Sequence, residues 1–270
     1  MKPYSIVPPK KSLGQNLLMD KEYLSKIALE VELDYLILEI GAGTGNLTQA
    51  LLDRGVAVTA IEIDQRLIPE LNTRFQGKNL KIIHNDFLLF SEQDILNIVQ
   101  DKSFLIFGNL PYLAATKMIQ MICEWKNKPK KCIFLLQKEV AERIAAKPDT
   151  KSYGSLSIFV QFFSKPKILF QIPSEAFYPV PKVISSVICL EFYKDSPYAV
   201  DNRDKFFQFV RKGFSQRRKM LKNALTIGSQ IQYTEQKLLE IMARLGIAPN
   251  VRAEDLSLNQ FVDLYNLLYS

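Results

Sequence analysis

Short apolar runs alternate with amphipathic stretches from residue 36 to about residue 137, and this alternation restricts the possible folds more than any other feature. The apolar runs cover residues 36–40, 56–61, 80–83, 104–107 and 133–136, and the amphipathic stretches begin near residues 46, 65, 91, 114 and 138. Such alternation is typical of right-handed βαβ units, in which helices cover both faces of a parallel sheet. We therefore predict an α/β fold with a mostly parallel sheet.

Two more strand candidates follow, at residues 167–172 and 183–192. Only a short proline-containing connection separates them, so we expect them to pair antiparallel. Residues 194–201 are predicted to form a linker, beyond which helical segments replace the strand pattern at 203–214, 217–225, 234–245 and 257–269. Gly246 is expected to end the third of these helices. The predicted domains are residues 1–195 and a small helical domain, residues 196–270.

The composition excludes several classes of site. A formal net charge of +7 suits a polyanionic partner. His84 is the one histidine, which excludes histidine-based metal sites and Ser–His catalysis. The cysteines (Cys123, Cys132 and Cys189) are widely spaced in apolar surroundings, as expected for reduced thiols. Apolar runs are shorter than the roughly 18 residues of a membrane span, and prolines interrupt residues 1–10, where a signal peptide needs its apolar core. We expect a cytoplasmic protein without a membrane segment or a metal.

A glycine-rich turn, Glu39-Ile-Gly-Ala-Gly-Thr-Gly45, follows the first predicted strand. Gly41, Gly43 and Gly45 allow a sharp turn and a close backbone approach to a ligand. Their spacing is G-x-G-x-G, whereas dinucleotide-binding turns read G-x-G-x-x-G, so NAD is not the first candidate.

Two carboxylates follow the next strands. Glu62 lies about 20 residues beyond the glycines, where an acidic residue can accept the hydroxyls of a ribose. Asp86 follows the third strand, where it can accept a hydrogen bond from an adenine amine. Three successive strand ends thus indicate an adenosine-containing cofactor held without phosphate-binding lysines, such as S-adenosylmethionine (SAM). The alternative is that Glu62 and Asp86 cap helices or face solvent.

The tetrapeptide Asn109-Leu-Pro-Tyr112 follows the fourth strand. Asn109 offers an acceptor oxygen to an exocyclic amine, and Pro111 restricts the turn. Tyr112 supplies a face on which a base can stack. An ordinary proline turn after a strand is the alternative.

Several other segments accompany these motifs in order. They are Lys-Ser-Leu-Gly-Gln-Asn-Leu-Leu (11–18), Gln-Lys-Glu-Val-Ala-Glu-Arg (137–143), Phe-Tyr-Pro-Val-Pro-Lys-Val-Ile-Ser (177–185), Phe-Ser-Gln-Arg-Arg-Lys-Met-Leu-Lys-Asn (214–223) and Arg-Ala-Glu-Asp-Leu (252–256). Together, from about residue 10 to the C-terminal helices, the chain resembles the ribosomal RNA adenine N6-dimethyltransferases, specifically the small-subunit KsgA family. The resemblance implies a Rossmann-like class I SAM-dependent methyltransferase with a seven-stranded, mostly parallel sheet whose last strand is antiparallel. It also implies a small C-terminal helical domain for RNA or ribosome recognition.

The implied activity is dimethylation of two adjacent adenosines in the 3′-terminal hairpin loop of small-subunit rRNA. The implied partner is an immature 30S-type particle, and we expect the enzyme to be a monomer. The implied SAM-binding residues are Asn16, Leu18, Gly41, Gly43, Glu62, Asp86 and Asn109. We predict that Asn109 and the Leu110 carbonyl accept the two N6 hydrogens, and that Tyr112 and Phe177 grip the adenine. Phe177 in the core is the alternative.

The chain departs from the family pattern at three places. Leu17 stands where Phe is usual, Ala42 where Pro is usual, and Leu113-Ala114 where Asn-Ile is common. The first two changes should preserve the pocket, and the third puts the loop contacts beyond Tyr112 in doubt.

Basic residues indicate where RNA would bind. The segment 203–222 contains eight basic residues and one acidic residue. Arg217, Arg218 and Lys219 are adjacent, so they must face water or phosphate, whereas the phenylalanines at 206, 207, 209 and 214 have the spacing of a buried helix stripe. A second basic cluster lies at 126, 128, 130 and 131, and such contacts give affinity without sequence choice.

Two other functions stay open. An Erm-type enzyme acting on large-subunit rRNA shares the catalytic motifs, although residues 252–256 and the Leu-Gly-Gln-Asn segment favour the small subunit. A non-catalytic RNA- or DNA-binding assembly factor on the same fold would have no need of intact Glu62, Asp86, Asn109 and Tyr112.

Overall fold

The computed structural model describes residues 7–10, 14–216, 218–226 and 233–269. Nine strands form within these ranges. They are β1 (Leu17–Leu18), β2 (Leu36–Ile40), β3 (Val58–Glu62), β4 (Leu80–His84), β5 (Phe104–Asn109), β6 (Lys131–Gln137), β7 (Ser164–Ile172), β8 (Phe177–Tyr178) and β9 (Ser185–Phe192).

Eleven α-helices lie in the same described ranges. They are α1 (Lys21–Ala28), α2 (Asn46–Leu52), α3 (Ile68–Arg74), α4 (Glu92–Val99), α5 (Ala115–Glu124), α6 (Lys138–Ala145), α7 (Ser155–Phe163), α8 (Arg203–Gly213), α9 (Leu221–Thr226), α10 (Glu235–Arg244) and α11 (Leu258–Tyr269). Gly246, with φ of 68°, follows α10 in the left-handed conformation that ends many helices, as predicted.

The main sheet has the order β4-β3-β2-β5-β6-β9-β7. The pairs β3–β4, β2–β3, β2–β5 and β5–β6 are parallel, and β9 runs antiparallel to β6. The predicted seven-stranded, mostly parallel sheet with an antiparallel last strand is therefore confirmed. The predicted neighbours β7 and β9 do lie side by side.

The central strands are buried on both faces. Leu38, Ile106 and Phe134 are fully buried, which explains why their strands read as continuous apolar runs instead of alternating ones. On one face, Ile37 and Phe107 pack in a single core cluster with residues of α1 and α2. Packing of this kind holds the carboxyl ends of the strands, and the turns that follow them, in fixed positions.

The strand order reverses direction at β2. The chain continues from β2 to β3 and β4 on one side, and then returns to place β5 on the other side. In open α/β sheets, ligands bind outside the carboxyl ends of the strands at such a reversal. The glycine turn follows β2 and the tetrapeptide begins at the end of β5, so both border this point.

A second, two-stranded sheet was not predicted. Strand β1 pairs antiparallel with β8, with Leu17 opposite Tyr178 and Leu18 opposite Phe177. Two-residue strands carry too little pattern to be read from sequence, and these two are distant in the chain. Their pairing brings the N-terminal segment to the connection between β7 and β9.

The chain divides into two compact units. One comprises Met1–Ala141 and Lys165–Phe192, and the other comprises Glu142–Ser164 and Tyr193–Ser270. The second unit thus includes α7 as well as the C-terminal helices. The predicted domain boundary between residues 195 and 196 stays a prediction about how the chain folds.

The second unit has an aromatic core. Phe206, Phe207 and Phe209 are buried, as the helical spacing predicted, and Phe214 packs on Phe261 with the ring centroids 5.7 Å apart. The Tyr265 hydroxyl donates to Asp201 Oδ1 at 2.9 Å, which ties α11 to the segment before α8. None of the helices within the described ranges is long and apolar enough to cross a membrane.

Candidate active site

A cavity lies at the reversal point of the sheet, entirely within the first unit. Its lining comes from the N-terminal segment (14–18), the glycine turn, the end of β3 and the tetrapeptide. The structure thereby brings together most of the predicted site residues. They are Asn16, Leu18, Gly41, Gly43, Glu62, Asn109, Leu110 and Tyr112.

The glycine turn approaches the N-terminal segment closely at Gly43. Gly43 has φ of 55°, in the left-handed region, and a Cβ there would lie 3.1 Å from a methyl carbon of Leu17. A side chain at this position would fill the gap between the turn and residue 17. Thr44 also lines the cavity, and its buried hydroxyl has no hydrogen-bond partner among the described residues.

Glu62 is the buried carboxylate of the cavity, with only 2% of its surface exposed. Its Oε2 accepts from the Gly43 N–H at 2.8 Å, and its Oε1 accepts from the Asp64 N–H at 2.7 Å. Burial raises the pKa of Glu62, while these backbone bonds oppose the shift. The carboxylate is held in one orientation, and each oxygen keeps a second lone pair for a ligand hydroxyl.

Asp86 follows the strand next to that of Glu62 but does not line the cavity. The Asn85 N–H donates to the Glu62 carbonyl at 3.1 Å, which places the end of β4 next to that of β3. Asp86 Oδ1 accepts from the Leu88 N–H at 2.9 Å and caps the single helical turn at 87–89. Asp86 therefore caps a helical turn with Oδ1, as the alternative interpretation proposed. A contact between Asp86 and an adenine stays a prediction.

Asn109 has its side-chain amide oriented by the N-terminal segment. Its Nδ2 donates to the Asn16 carbonyl at 2.7 Å. Because the amide nitrogen is engaged in this way, Oδ1 is the end of the side chain that serves as an acceptor. This is the polarity that a contact with an exocyclic amine requires.

Leu110 is held through its backbone, whereas Tyr112 is held through its side-chain hydroxyl. Leu110 is buried, and its N–H donates to the Leu135 carbonyl at 3.2 Å. Tyr112 is half-buried, and its hydroxyl lies 3.3 Å from the hydroxyl of Ser185 at the start of β9. Leu113 is 88% exposed, so the departure from the family pattern at this position does not affect the core.

Phe177, like Asp86, is a predicted site residue that does not line the cavity. It is 3% exposed, lies opposite Leu18 in the small sheet, and belongs to the main core cluster with Leu24 and Ile27. This packing matches the alternative given for it above. Stacking on an adenine requires the ring to become accessible, and that role stays a prediction.

The N-terminal segment has several anchors that sequence reasoning missed. Gln15 donates to Asp64 Oδ2 at 3.3 Å, and Asn46 donates to the Leu18 carbonyl at 3.0 Å. Asp64 in turn forms an ion pair with Arg66 at 2.6 Å, whose hydrogen bond lowers the pKa of Asp64. Gln15 belongs to the motif at 11–18, and this was the one sequence feature that could have indicated its role as an anchor. Residues 11–13 lie outside the described part of the chain.

A second close approach, at Gly108 of β5, was also missed. A Cβ there would lie 2.8 Å from the Ile40 carbonyl oxygen. Glycine at this position lets β5 lie against the end of β2, and Gly108 lines the cavity. A lone glycine before the tetrapeptide carries no sequence signal of this role.

Glu39 lies at the end of β2 and is fully buried. Its Oε2 accepts from the Thr48 hydroxyl at 2.6 Å, whereas its Oε1 has no partner among the described residues. Burial raises the pKa of Glu39 to about 8. No cluster of three or more His, Cys, Asp or Glu residues in the described ranges is arranged to hold a metal.

The predicted RNA-binding residues are divided between exposed and engaged side chains. Arg218 and Lys219 are exposed, and Arg217 lies outside the described residues. In the second basic cluster, Lys131 is only 14% exposed and forms an ion pair with Glu32 at 3.0 Å. Lys131 is thus engaged with a carboxylate, whereas Lys126 and Lys130 are exposed, and phosphate contacts for that cluster stay a prediction.

Comparison with known proteins agrees with this geometry. The family model described as "Ribosomal RNA adenine dimethylase" matches residues 8–270. A protein of Caldanaerobacter subterraneus named "Ribosomal RNA small subunit methyltransferase A" is 40% identical, and the alignment covers 96% of this chain and 97% of that protein. A protein of the same name from Mycoplasma capricolum is 36% identical, with the same two coverages.

Two solved structures share the fold over nearly the whole chain. A dimethyladenosine transferase from Plasmodium falciparum superposes with a TM-score of 0.77 at 26% identity, covering 92% of this chain and 95% of that one. The 23S rRNA methyltransferase ErmE superposes with a TM-score of 0.74 at 21% identity, covering 94% and 99%. The sheet order, the cavity residues and these matches together lead to one conclusion: the chain belongs to the ribosomal RNA adenine dimethylase family.

Proposed function

We propose that this protein transfers methyl groups from SAM to N6 of two adjacent adenosines in the 3′-terminal hairpin loop of small-subunit rRNA. The observation that carries this proposal is the oriented amide of Asn109, which borders the same cavity as Glu62 and the glycine turn. A carboxylate for a ribose and an acceptor for an amine therefore share one cavity. Membership of the family indicates that the amine belongs to an adenine of ribosomal RNA.

The cavity residues fit SAM. The close approach at Gly43 leaves a cradle that a Cβ would fill, and the Thr44 hydroxyl offers an unused polar group there. Gly41 and Gly43 would face the methionine portion, and Glu62 would accept from the ribose hydroxyls. Asp86, Asn16 and Leu18 complete the predicted set. When bound, SAM supplies an electrophilic methyl group on a sulfonium.

Asn109 and the Leu110 carbonyl activate the amine. The N6 lone pair of adenine is delocalised into the ring, so the nitrogen is a poor nucleophile. Asn109 Oδ1 and the Leu110 carbonyl accept its two hydrogens, which moves the nitrogen towards sp³ geometry and directs its lone pair at the methyl carbon. Positioning and electrostatics then supply most of the acceleration. No strong general base is required, because the nitrogen becomes cationic once it is alkylated and then loses its proton to water.

Tyr112 holds the target base by stacking, worth about 1–3 kcal/mol for each base. The half-buried ring stands at the cavity, beside the fixed amide of Asn109. Phe177 would cover the second face of the adenine after a local rearrangement of the small sheet. Such stacking offsets part of the cost of extruding the base.

Recognition of the ribosomal particle rests on the name of the relatives and on the exposed basic residues. Both sequence relatives described above are named for the small ribosomal subunit. Arg217, Arg218 and Lys219 would contact backbone phosphates of an immature 30S-type particle. We propose that the enzyme acts there as a cytoplasmic monomer.

An Erm-type activity on large-subunit rRNA is the second candidate, favoured by the superposition on ErmE. Incubation with labelled SAM and unmethylated small subunits, large subunits or DNA separates the candidates. We expect two methyl groups on each of two neighbouring small-subunit adenosines. Labelling confined to large subunits would establish the Erm-type activity, and no labelling of any substrate would indicate a non-catalytic assembly factor.

A further inference from the structure

Ser185 contacts the Tyr112 hydroxyl of the tetrapeptide from a buried position. Its hydroxyl oxygen lies 3.3 Å from the Tyr112 hydroxyl, a hydrogen bond in which either group can donate. The serine is fully buried, whereas the tyrosine is half-buried at the cavity. This is the one polar contact of the Tyr112 side chain that the described residues show.

The backbone of Ser185 is firmly held. Ser185 lies opposite Gln137 in the antiparallel ladder between β6 and β9. One residue earlier, the Ile184 carbonyl accepts from the Lys138 N–H at 3.0 Å. A hydroxyl mounted on this ladder can hold a ring whose own backbone lies in a turn between β5 and α5. Ser185 therefore restrains Tyr112, and not the reverse.

The next residue of β9 provides a natural contrast. Ser186 is also fully buried, but its hydroxyl has no hydrogen-bond partner among the described residues. Successive side chains of a strand point to opposite faces of the sheet, so Ser186 points away from Tyr112. Two adjacent buried serines thus differ in whether they contact the tetrapeptide.

We propose that Ser185 is a positioning residue for methyl transfer. Its hydrogen bond sets the orientation of the Tyr112 ring, and hence the angle at which the target adenine lies against Asn109. This inference rests on the proposed function, in which Tyr112 stacks on that adenine. Ser185 itself does not line the cavity, so it would act through Tyr112.

Four variants of the full-length protein test the proposal, with unmethylated small subunits as substrate. One neutral hydrogen bond controls about a threefold to tenfold effect, so Ser185→Ala and Tyr112→Phe should each lower kcat by about that factor. The KM for SAM should stay unchanged, because the cofactor residues are intact. The double variant Ser185→Ala/Tyr112→Phe should be no slower than the slower single variant, since both changes remove the same bond. Ser186→Ala, the matched control, should retain normal kcat.

The outcomes separate the inference from the function on which it rests. Equal kcat for Ser185→Ala and Ser186→Ala, or losses that multiply in the double variant, would overturn the positioning role. Tyr112→Ala serves as the fifth variant: full turnover in it rejects stacking by Tyr112 and therefore the proposed site. Loss of turnover in Tyr112→Ala without loss in Ser185→Ala rejects only the role of Ser185. Should Ser185→Ala fail to fold, Tyr112→Phe with normal kcat would still reject the role.

Discussion

At the scale of single residues, the side chains of this site are oriented by contacts with parts of the chain that are distant in sequence. Asn109 is oriented by a carbonyl 93 residues earlier, and Glu62 by the backbone of the glycine turn 19 residues earlier. Neither side chain needs to reorganise before it meets a ligand. Such preorganised dipoles are the usual source of electrostatic catalysis.

Replacement of Asn109 should separate catalysis from cofactor binding. Asn109→Ala removes the acceptor for the N6 hydrogen, and the loss of one preorganised polar group costs about 100-fold or more in kcat. The affinity for SAM, measured by calorimetry, should change by no more than a few-fold, because Glu62 and the glycine turn are intact. Asn97→Ala, at an exposed position of α4, is the control and should leave both quantities unchanged. Substantial methylation by Asn109→Ala would refute the proposed role.

Glu39 should make stability depend on pH. Its pKa is raised by burial from 4.5 to about 8, so the folded state binds a proton that the unfolded state releases. The free energy of unfolding should therefore fall as the pH rises from about 4.5 to about 8, and level off above that. Glu39→Gln keeps an acceptor for Thr48 without the titration. It should be more stable than wild type at pH 8, by an amount of the order of a few kcal/mol, but not at pH 5.

Urea denaturation of both proteins at the two pH values measures this difference. Parallel pH dependence of wild type and Glu39→Gln would show that Glu39 does not titrate in this range. Glu62 is common to both proteins, and its charge is the smallest of the three influences on the pKa of Glu39, so most of its own titration cancels in the comparison.

At the scale of elements, the turn between β2 and α2 joins the cofactor site to the N-terminal segment. The turn supplies Gly43, and the helix that follows supplies Asn46, which donates to the Leu18 carbonyl. Strand β1 is then paired to β8. The N-terminal segment thus has contacts on the glycine turn, on the tetrapeptide and on the β7–β9 connection. Of these, the contact at the glycine turn is the one that we expect to control cofactor binding.

Two glycines near the ends of α2 test this link. Gly43 and Gly55 both have positive φ, at 55° and 80°, so alanine at either costs about 1–2 kcal/mol of backbone strain. A Cβ at Gly55 meets nothing within 4 Å, whereas one at Gly43 lies 3.1 Å from Leu17. Gly43→Ala should therefore weaken SAM binding by about tenfold, and Gly55→Ala should not, although both lose stability. Equal SAM affinities, measured by calorimetry, would contradict the proposed cradle.

At the scale of the whole molecule, the net charge of +7 and the exposed basic residues determine how RNA would be bound. Arg218 and Lys219 are exposed and adjacent, whereas Lys131 is engaged with Glu32. Basic residues that contact phosphates release counterions and make affinity depend on salt. The net charge of the chain does not show which basic side chains are available to phosphates, whereas the exposure and ion pairs of each side chain do.

Removal of the adjacent pair should reduce the salt dependence of RNA binding. For Arg218→Ala/Lys219→Ala, the slope of log affinity against log salt should fall by about 0.7–0.9 for each phosphate that the variant no longer neutralises. SAM affinity should be unaffected. Lys78→Ala/Lys81→Ala removes the same charge near edge strand β4 and should leave the slope unchanged. Titrations of labelled small-subunit RNA at several salt concentrations measure the slope, and identical slopes for the two variants would exclude phosphate binding at 218 and 219.

Much of the fold was predictable because its central strands are buried on both faces. Short continuous apolar runs, such as the one around Ile106, are typical of strands buried on both faces. All seven strands of the main sheet were located to within a few residues. Glu62 was predictable because it stands at a fixed distance beyond the glycines. The two-residue strands β1 and β8 were not, since their pairing depends on contacts between distant segments.

By itself, the sequence determined the parallel sheet, the edge at which a cofactor would bind, and the residue types available there, because burial and spacing are properties of the chain read in order. Only the tertiary structure decided which of these residues meet. It joined Asn109 to Asn16 and Tyr112 to Ser185, engaged Asp86 in a cap and buried Phe177 in the core. Those outcomes depend on packing between segments far apart in the chain, which no local pattern specifies.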